Sequence, residues 1–293
     1  MKQVAAWLAL ALVTFGLYAV DLWGMGVSPL LRTAPWRLLV VALIDTAVIV
    51  IALRRANGGG WQLAGRLALL IFGVKTAVVV VETIYLPDVL PLAWVPGLLL
   101  NGAVTAGLQA LAAVWLTGRG QDTAVAPASP WFPWATLSWR RWLLSGVLWM
   151  VLFVATGLLV FQPAARALDR AAADAYLAAF TPENPLLILV FQVGRGLLWA
   201  LLAWPLLGSL RGGAGQRGLV LGLLFAGLMA SAQLQAIDYL PAAIWPAHLV
   251  EVAVENMLFG LVVAWGLRPL PGKAPKQTEA DQQLPHVHFP DSR

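Results

Sequence analysis

Four residues able to do acid–base or ligand chemistry, His248, Glu251, Glu255 and Asn256, lie inside one apolar stretch, Pro246 to Leu267. A carboxylate in hydrocarbon is costly on any scale, so such a group is paired, protonated or turned to a polar cavity. His248, Glu251 and Glu255 fall at i, i+3 and i+7, along one face of a helix. Two chemistries fit that set. His248, Glu251 and Glu255 could hold a divalent metal, with one carboxylate as general base, which would give metal-assisted hydrolysis. Alternatively, a carboxylate kept neutral by burial could carry a proton in exchange for a solute. The spacing differs from the zinc-protease pattern His-Glu-x-x-His.

Other charges sit in apolar segments too. Helix rise of about 1.5 Å per residue turns sequence distance from the nearest basic anchor into depth. Asp45 lies nine residues before Arg54, and Lys75 nine after Arg66. Both are then about 14 Å from the same face, on consecutive antiparallel helices. An Asp45–Lys75 ion pair, or a midplane relay, follows because each charge alone would be uncompensated. Arg195 lies about 24 Å above Arg211, level with Glu251 and Glu255 at about 25 Å and 20 Å above Arg268. Gln192 precedes Arg195 by nearly one turn, and Glu82, Gln233, Gln235 and Asp238 reach a similar height. These residues predict a polar pocket opening outward. Arg195 would anchor a carboxylate or phosphate bidentately. Gln192, Glu251, Glu255 and Asn256 would complete it, with Asn101 as a deeper partner. The plainer expectation is an Arg195–glutamate ion pair joining two spans.

The elements that must position these groups follow from composition. Sixty per cent of residues are hydrophobic and 11% charged, too little charge to cover a soluble chain of 293 residues. We read an all-α integral membrane protein with eight transmembrane helices: Ala6–Trp23, Trp36–Leu53, Leu67–Thr83, Val95–Leu116, Leu143–Phe161, Leu186–Leu207, Leu219–Leu234 and Pro246–Leu267. Each is near the length a bilayer requires. The opening run resembles a signal peptide, but no small-x-small site lies near Leu17 to Ala19, so an uncleaved first span is expected.

This span count sorts the basic residues 13 to 4 between the two sides, with Lys75 and Arg195 inside spans. The positive-inside rule then predicts both termini in the cytoplasm, in a bacterial cytoplasmic (inner) membrane. The net charge of +5 is explained by those loops, so no nucleic-acid partner is implied. With no cysteine there is no disulfide and no thiolate metal site. A Gly-x-Ser-x-Gly elbow and a Walker phosphate loop are absent from the sequence.

Two segments repeat. Tyr85-Leu86-Pro87, then Pro91 and Asn101, match Tyr239-Leu240-Pro241, then Pro246 and Asn256. We expect two parallel four-helix repeats, residues 1–120 and 143–268, joined by a cytoplasmic Pro/Trp-rich linker at 121–142. Pro163 to Ala179 reads as a short helix on the outer face, able to act as a lid, and 269–293 as a polar, disordered tail. His286 and His288 in that tail are expected to be solvated. Gly218, Gly222, Ala226 and Ala230, and likewise Gly102, Ala106 and Ala110, mark close helix contacts. The functional expectation is a small-solute or lipid-headgroup transporter or binder. The alternatives are a membrane-embedded metal-assisted hydrolase and a non-catalytic membrane assembly subunit.

Overall fold

The computed structural model describes residues 2–24, 35–85, 92–120, 138–179, 185–235 and 240–268. The predicted tail with His286 and His288, Asp238, the side chain of Glu82 and residues 121–137 of the 121–142 linker lie outside the described residues. Nine helices, α1 to α9, are labelled here in chain order. They are α1 (Lys2–Gly24), α2 (Pro35–Arg55), α3 (Gly60–Phe72, a π-turn Gly73–Ala77, then Val78–Tyr85) and α4 (Val95–Leu116). Then come α5 (Trp139–Thr156, a π-turn Gly157–Phe161, then Gln162–Leu168), α6 (Arg170–Ala179), α7 (Pro185–Leu207), α8 (Ala214–Gln235) and α9 (Trp245–Gly266). All but α6 are long and apolar enough to cross a bilayer, and no strand occurs among the described residues. The chain is an all-α multi-pass membrane protein.

Leucines point outward as well as inward, as a lipid solvent allows: Leu8, Leu12, Leu100, Leu159 and Leu186 are all exposed. The interior is tight instead. Trp149, Trp199, Phe225 and Phe259 from α5, α7, α8 and α9 form one aromatic cluster. Trp149 meets Trp199 and Phe259 edge-on at 4.6 and 4.8 Å between ring centres. Phe225 stacks on Trp199 and Phe259 at 5.7 and 5.8 Å.

The principal packing pairs fall into two matching sets. Helix α1 packs on α2 and α4, and α3 on α4; α5 packs on α7 and α9, and α8 on α9. Across the middle, α2 packs on α8 and α3 on α7. At the basic face the turns after α2 and α7 pair as a two-stranded bridge at Ala56 and Leu210. Arg211 N–H donates to Arg55 O at 2.7 Å and Asn57 N–H to Ser209 O at 2.6 Å. Arg211 Nε also donates to Asn57 Oδ1 at 2.7 Å.

One sequence boundary is corrected. Pro163 to Ala179 is not a single outer helix. Its first part, to Leu168, continues α5. The π-turn just before Pro163 widens the helix where proline removes a backbone donor, so the span runs on instead of breaking. The break comes at Asp169, which is extended (φ −154, ψ 102) and whose Oδ1 accepts from Ala172 N–H at 3.0 Å, capping α6.

The small residues sit where backbones touch. Gly222 faces the Met257 backbone and Gly260 faces Gly222. A Cβ at Gly260 would overlap the Gly222 backbone, which cannot retract as a side chain can. Gly260→Ala is therefore expected to cost at least about 1–3 kcal/mol and to lower the Tm in detergent. Gly194→Ala, whose added Cβ meets nothing within 4 Å, should leave Tm nearly unchanged. Equal melting of the two variants would show that the α8–α9 contact is loose.

Candidate functional site

Two buried polar clusters occupy the bundle, one in each set of helices. The first is the expected ion pair. Lys75 Nζ lies 2.7 Å from Asp45 Oδ2, with Asp45 fully buried. The π-turn of α3 carries Lys75, and π-turns recur at functional positions. Depth counting found this pair but missed its neighbours. Tyr18 of α1 donates its hydroxyl to Asp45 Oδ2 and accepts from Lys75 Nζ at 2.9 Å. Ser231 of α8 donates to Asp45 Oδ1 and accepts from Lys75 at 3.1 Å. Lys75 also lies 4.2 Å from the Tyr18 ring centre. Gln109 of α4 places Oε1 3.2 Å from the Tyr18 hydroxyl and Nε2 3.5 Å from Thr14 Oγ1. Tyr18 and Gln109, a phenol and an amide in the middle of apolar spans, were the available signals.

A cavity of about 60 Å³ borders this cluster, lined by Tyr18, Lys75, Thr76, Thr105, Gln109 and Gln235. Gln235 was expected with the second cluster. It sits beside the first because α8 packs against α2 and the π-turn of α3 there.

The second cluster surrounds α5, which packs against both α7 and α9. From α7 come Gln192 and Arg195, and from α9 His248, Glu251, Glu255 and Asn256. The Arg195 guanidinium lies 5.2 Å from the Trp149 ring centre and 4.7 Å from that of Trp199, and the residue is buried. Cation–π contact with two indoles stabilises a cation kept from water. Trp149 Nε1–H donates to Gln192 Oε1 at 3.0 Å, so the same indole fixes both α7 residues.

On the α9 side, Thr156 Oγ1 donates to Glu255 Oε2 at 3.0 Å. Glu251 Oε2 lies 2.8 Å from His248 Nδ1. Glu251 Oε1 faces Gly157, where a Cβ would come within 3.4 Å. The π-turn of α5 thus begins where the two carboxylates approach it. Asn256 is fully buried and gives Nδ2–H to Val252 O at 2.8 Å; its Oδ1 has no hydrogen-bond partner among the described residues.

Helix α6 packs at the end of the bundle away from the Ala56–Leu210 bridge. The end of α5, α6 and the start of α9 share a small apolar core of Phe161, Ala165, Ala173, Leu240, Ile244 and Ala247. The Phe161 ring meets Tyr176 at 5.8 Å and His248 at 5.9 Å. His248 keeps 21% of its side chain exposed against 9% for Glu251, so the histidine is the more accessible member of the pair.

Gln192 and Arg195 of α7 thus meet α5 at Trp149, and Glu251 and Glu255 of α9 meet it at Gly157 and Thr156. Among the described residues no three His, Asp or Glu side chains converge closely enough to hold a metal ion. The His248–Glu251 pair alone offers two ligands where a zinc site needs three or four.

Burial, and next the negative charge of Glu251, push the Tyr176 phenol up to about 12 from its ordinary 10.0. A raised folded-state value means stability fully present below about pH 10 and lost as pH climbs from about 10 towards 12. Glu251→Gln removes the second cause, so the Tyr176 tyrosinate absorbance should titrate at lower pH than in the parent. An unchanged midpoint would separate Tyr176 from Glu251. Comparison of the whole chain with protein-family models, with curated proteins and with solved structures finds no match to any of them.

Proposed function

We propose that this chain is a transporter or binder for a small anionic solute or a lipid headgroup, taken up at the cluster of Arg195, Gln192, Glu251, Glu255 and Asn256. We place it in a bacterial cytoplasmic membrane with both termini inside, on the basic-loop asymmetry. The observation that carries the reading is Arg195. The guanidinium packs on a pair of indoles that themselves meet edge-on at 4.6 Å, which holds a cation inside the bundle, and arginine is the side chain whose planar fork suits carboxylates and phosphates. Glu251 and Glu255 act as the groups whose charge changes when an anion enters or leaves. The His248–Glu251 pair is the water-facing end of that exchange, beneath Tyr176 and α6.

A parallel two-fold repeat supports the reading. The matched packing sets and the Ala56–Leu210 bridge between corresponding turns are what two four-helix halves related by an axis along the membrane normal would produce. Transporters built this way place solutes between or within the halves. The polar clusters differ in their helices: the first draws on α1, α2, α3, α4 and α8, the second on α5, α7 and α9. In the first, cation and anion are joined directly and fastened by Tyr18 and Ser231, a structural bond between halves. In the second, the arginine packs on the indoles of Trp149 and Trp199.

Binding to the native state raises stability by about 2.7 kcal/mol when ligand is at a hundred times its Kd. Titrating the purified full-length protein with small carboxylates and phosphate monoesters should therefore raise Tm for at least one of them. Arg195→Gln should abolish the rise, and Glu255→Gln, which holds that position neutral, should reduce the pH dependence of the apparent Kd. Folded variants that bind as the parent does would contradict the proposal. So would a charge swap of Arg195 with Glu255 that restores stability lost in each single variant while nothing binds; that result would favour an assembly subunit.

A further inference from the structure

The cavity of about 60 Å³ beside the Asp45–Lys75 pair has walls from four helices. Tyr18 comes from α1, Lys75 and Thr76 from the π-turn of α3, Thr105 and Gln109 from α4, and Gln235 from α8. Lys75 and Thr76, neighbours in sequence, both reach it from the π-turn, a distortion that recurs at functional positions. Gln235 is the last residue of α8, and Ser231, one turn earlier, accepts from Lys75. The cavity therefore extends about 6 Å along α8, from the level of the ion pair towards that helix end.

The chemistry of these walls selects the occupant. The hydroxyls of Tyr18, Thr76 and Thr105 and the amides of Gln109 and Gln235 are neutral, and each kind of group both donates and accepts hydrogen bonds. Lys75 already has its counter-charge, with Asp45 Oδ2 2.7 Å from Nζ. An anion would have to compete with that carboxylate, and a cation would meet the ammonium. A neutral molecule carrying both donors and acceptors matches all of the polar walls. Size sets its scale. One water needs roughly 10–15 Å³ of such space and two to four polar partners, and this cavity has several times that room. Cavities lined by apolar groups stay dry, whereas buried water gathers at polar ones.

From this we infer that the cavity is a binding site for a small uncharged hydrogen-bonding molecule, with water as its smallest occupant. Held between α4 and the π-turn of α3, the occupant bridges the ion-pair network at Tyr18 and Lys75 to Thr105 and Gln235. Bridging molecules of this kind are nearly as good as direct hydrogen bonds. They add partners to a charge pair whose mutual attraction alone does not offset desolvation. The pair remains a fastening between helices, and the occupant is part of that fastening. The site is separate from the Arg195 cluster and does not depend on its role.

The test is NMR of the full chain in nanodiscs with isotope-labelled threonine methyls, reading NOE and ROE cross-peaks between those methyls and water. Thr76 and Thr105 should show water cross-peaks with the NOE sign of a long-lived bound molecule. Thr46, which is buried and does not line the cavity, should show none. Thr105→Leu, which fills the cavity, should lose the Thr76 cross-peak. Formamide, a larger neutral probe, separates the sources. Formamide cross-peaks that replace those of water at Thr76 and Thr105 would identify a site for neutral solutes. Water cross-peaks that formamide leaves in place would identify internal water. Cross-peaks at Thr76 and Thr105 in the parent no stronger than at Thr46 would overturn the inference, whether or not the Thr105→Leu variant folds. Displacement of the water by acetate and not by formamide would overturn it too, by making the site anionic in preference.

Discussion

The Asp45–Lys75 contact is the constraint around which the rest is arranged. Two opposite charges 2.7 Å apart, deep in a bundle built for hydrocarbon, can be kept only together. Their mutual attraction alone does not offset desolvation, so the remaining lone pairs and protons need partners as well. Tyr18 and Ser231 supply them from α1 and α8, and Gln109 of α4 lies against Tyr18 in turn. Four helices are thereby tied through one carboxylate and one ammonium, and α4 joins them through Tyr18. Ser231 is the only one of these residues from the second half, which makes the network a cross-link as well as a core.

The second cluster solves the same problem by other means. Arg195 is wedged against Trp149 and Trp199, whose rings also build the aromatic core with Phe225 and Phe259. Glu255 takes a hydroxyl from Thr156, and Glu251 a histidine. A π-turn adjoins each cluster, at Lys75 in α3 and at Gly157 in α5. Each gives the helix a local change of register, which places a polar side chain where a regular helix would not. The price of this irregularity falls on helices that are otherwise held by close backbone packing, as at Gly222 and Gly260.

Much of this was legible before any coordinates. Hydropathy located every span because lipid exposure demands long apolar runs, and α4 spans Val95–Leu116 as read. Depth counting paired Asp45 with Lys75, because helix rise is nearly constant. What it could not supply was azimuth. Depth alone placed Gln235 with the wrong cluster and gave no reason to choose Tyr18, Gln109 or Ser231 over other polar residues. The π-turns and the run of α5 past Pro163 to Leu168 were also invisible, since they depend on tertiary contacts rather than on composition. Trp149 was missed as a site residue because an apolar span gives a tryptophan no obvious polar task.

The central claim is that the two clusters have different roles: the first joins the helices, and the second takes a ligand. A double-mutant cycle on Asp45 and Lys75, read by detergent melting and by native mass spectrometry for retained anion or lipid, tests it most directly. Asp45→Asn should lose about 3–5 kcal/mol by leaving a buried ammonium alone, and Asp45→Asn/Lys75→Met should recover most of that. The recovered double variant should retain the same adduct as the parent, with Arg195→Gln losing it. A double variant that melts like the parent but has lost its adduct would contradict the account, because it would make the Asp45–Lys75 pair the working site.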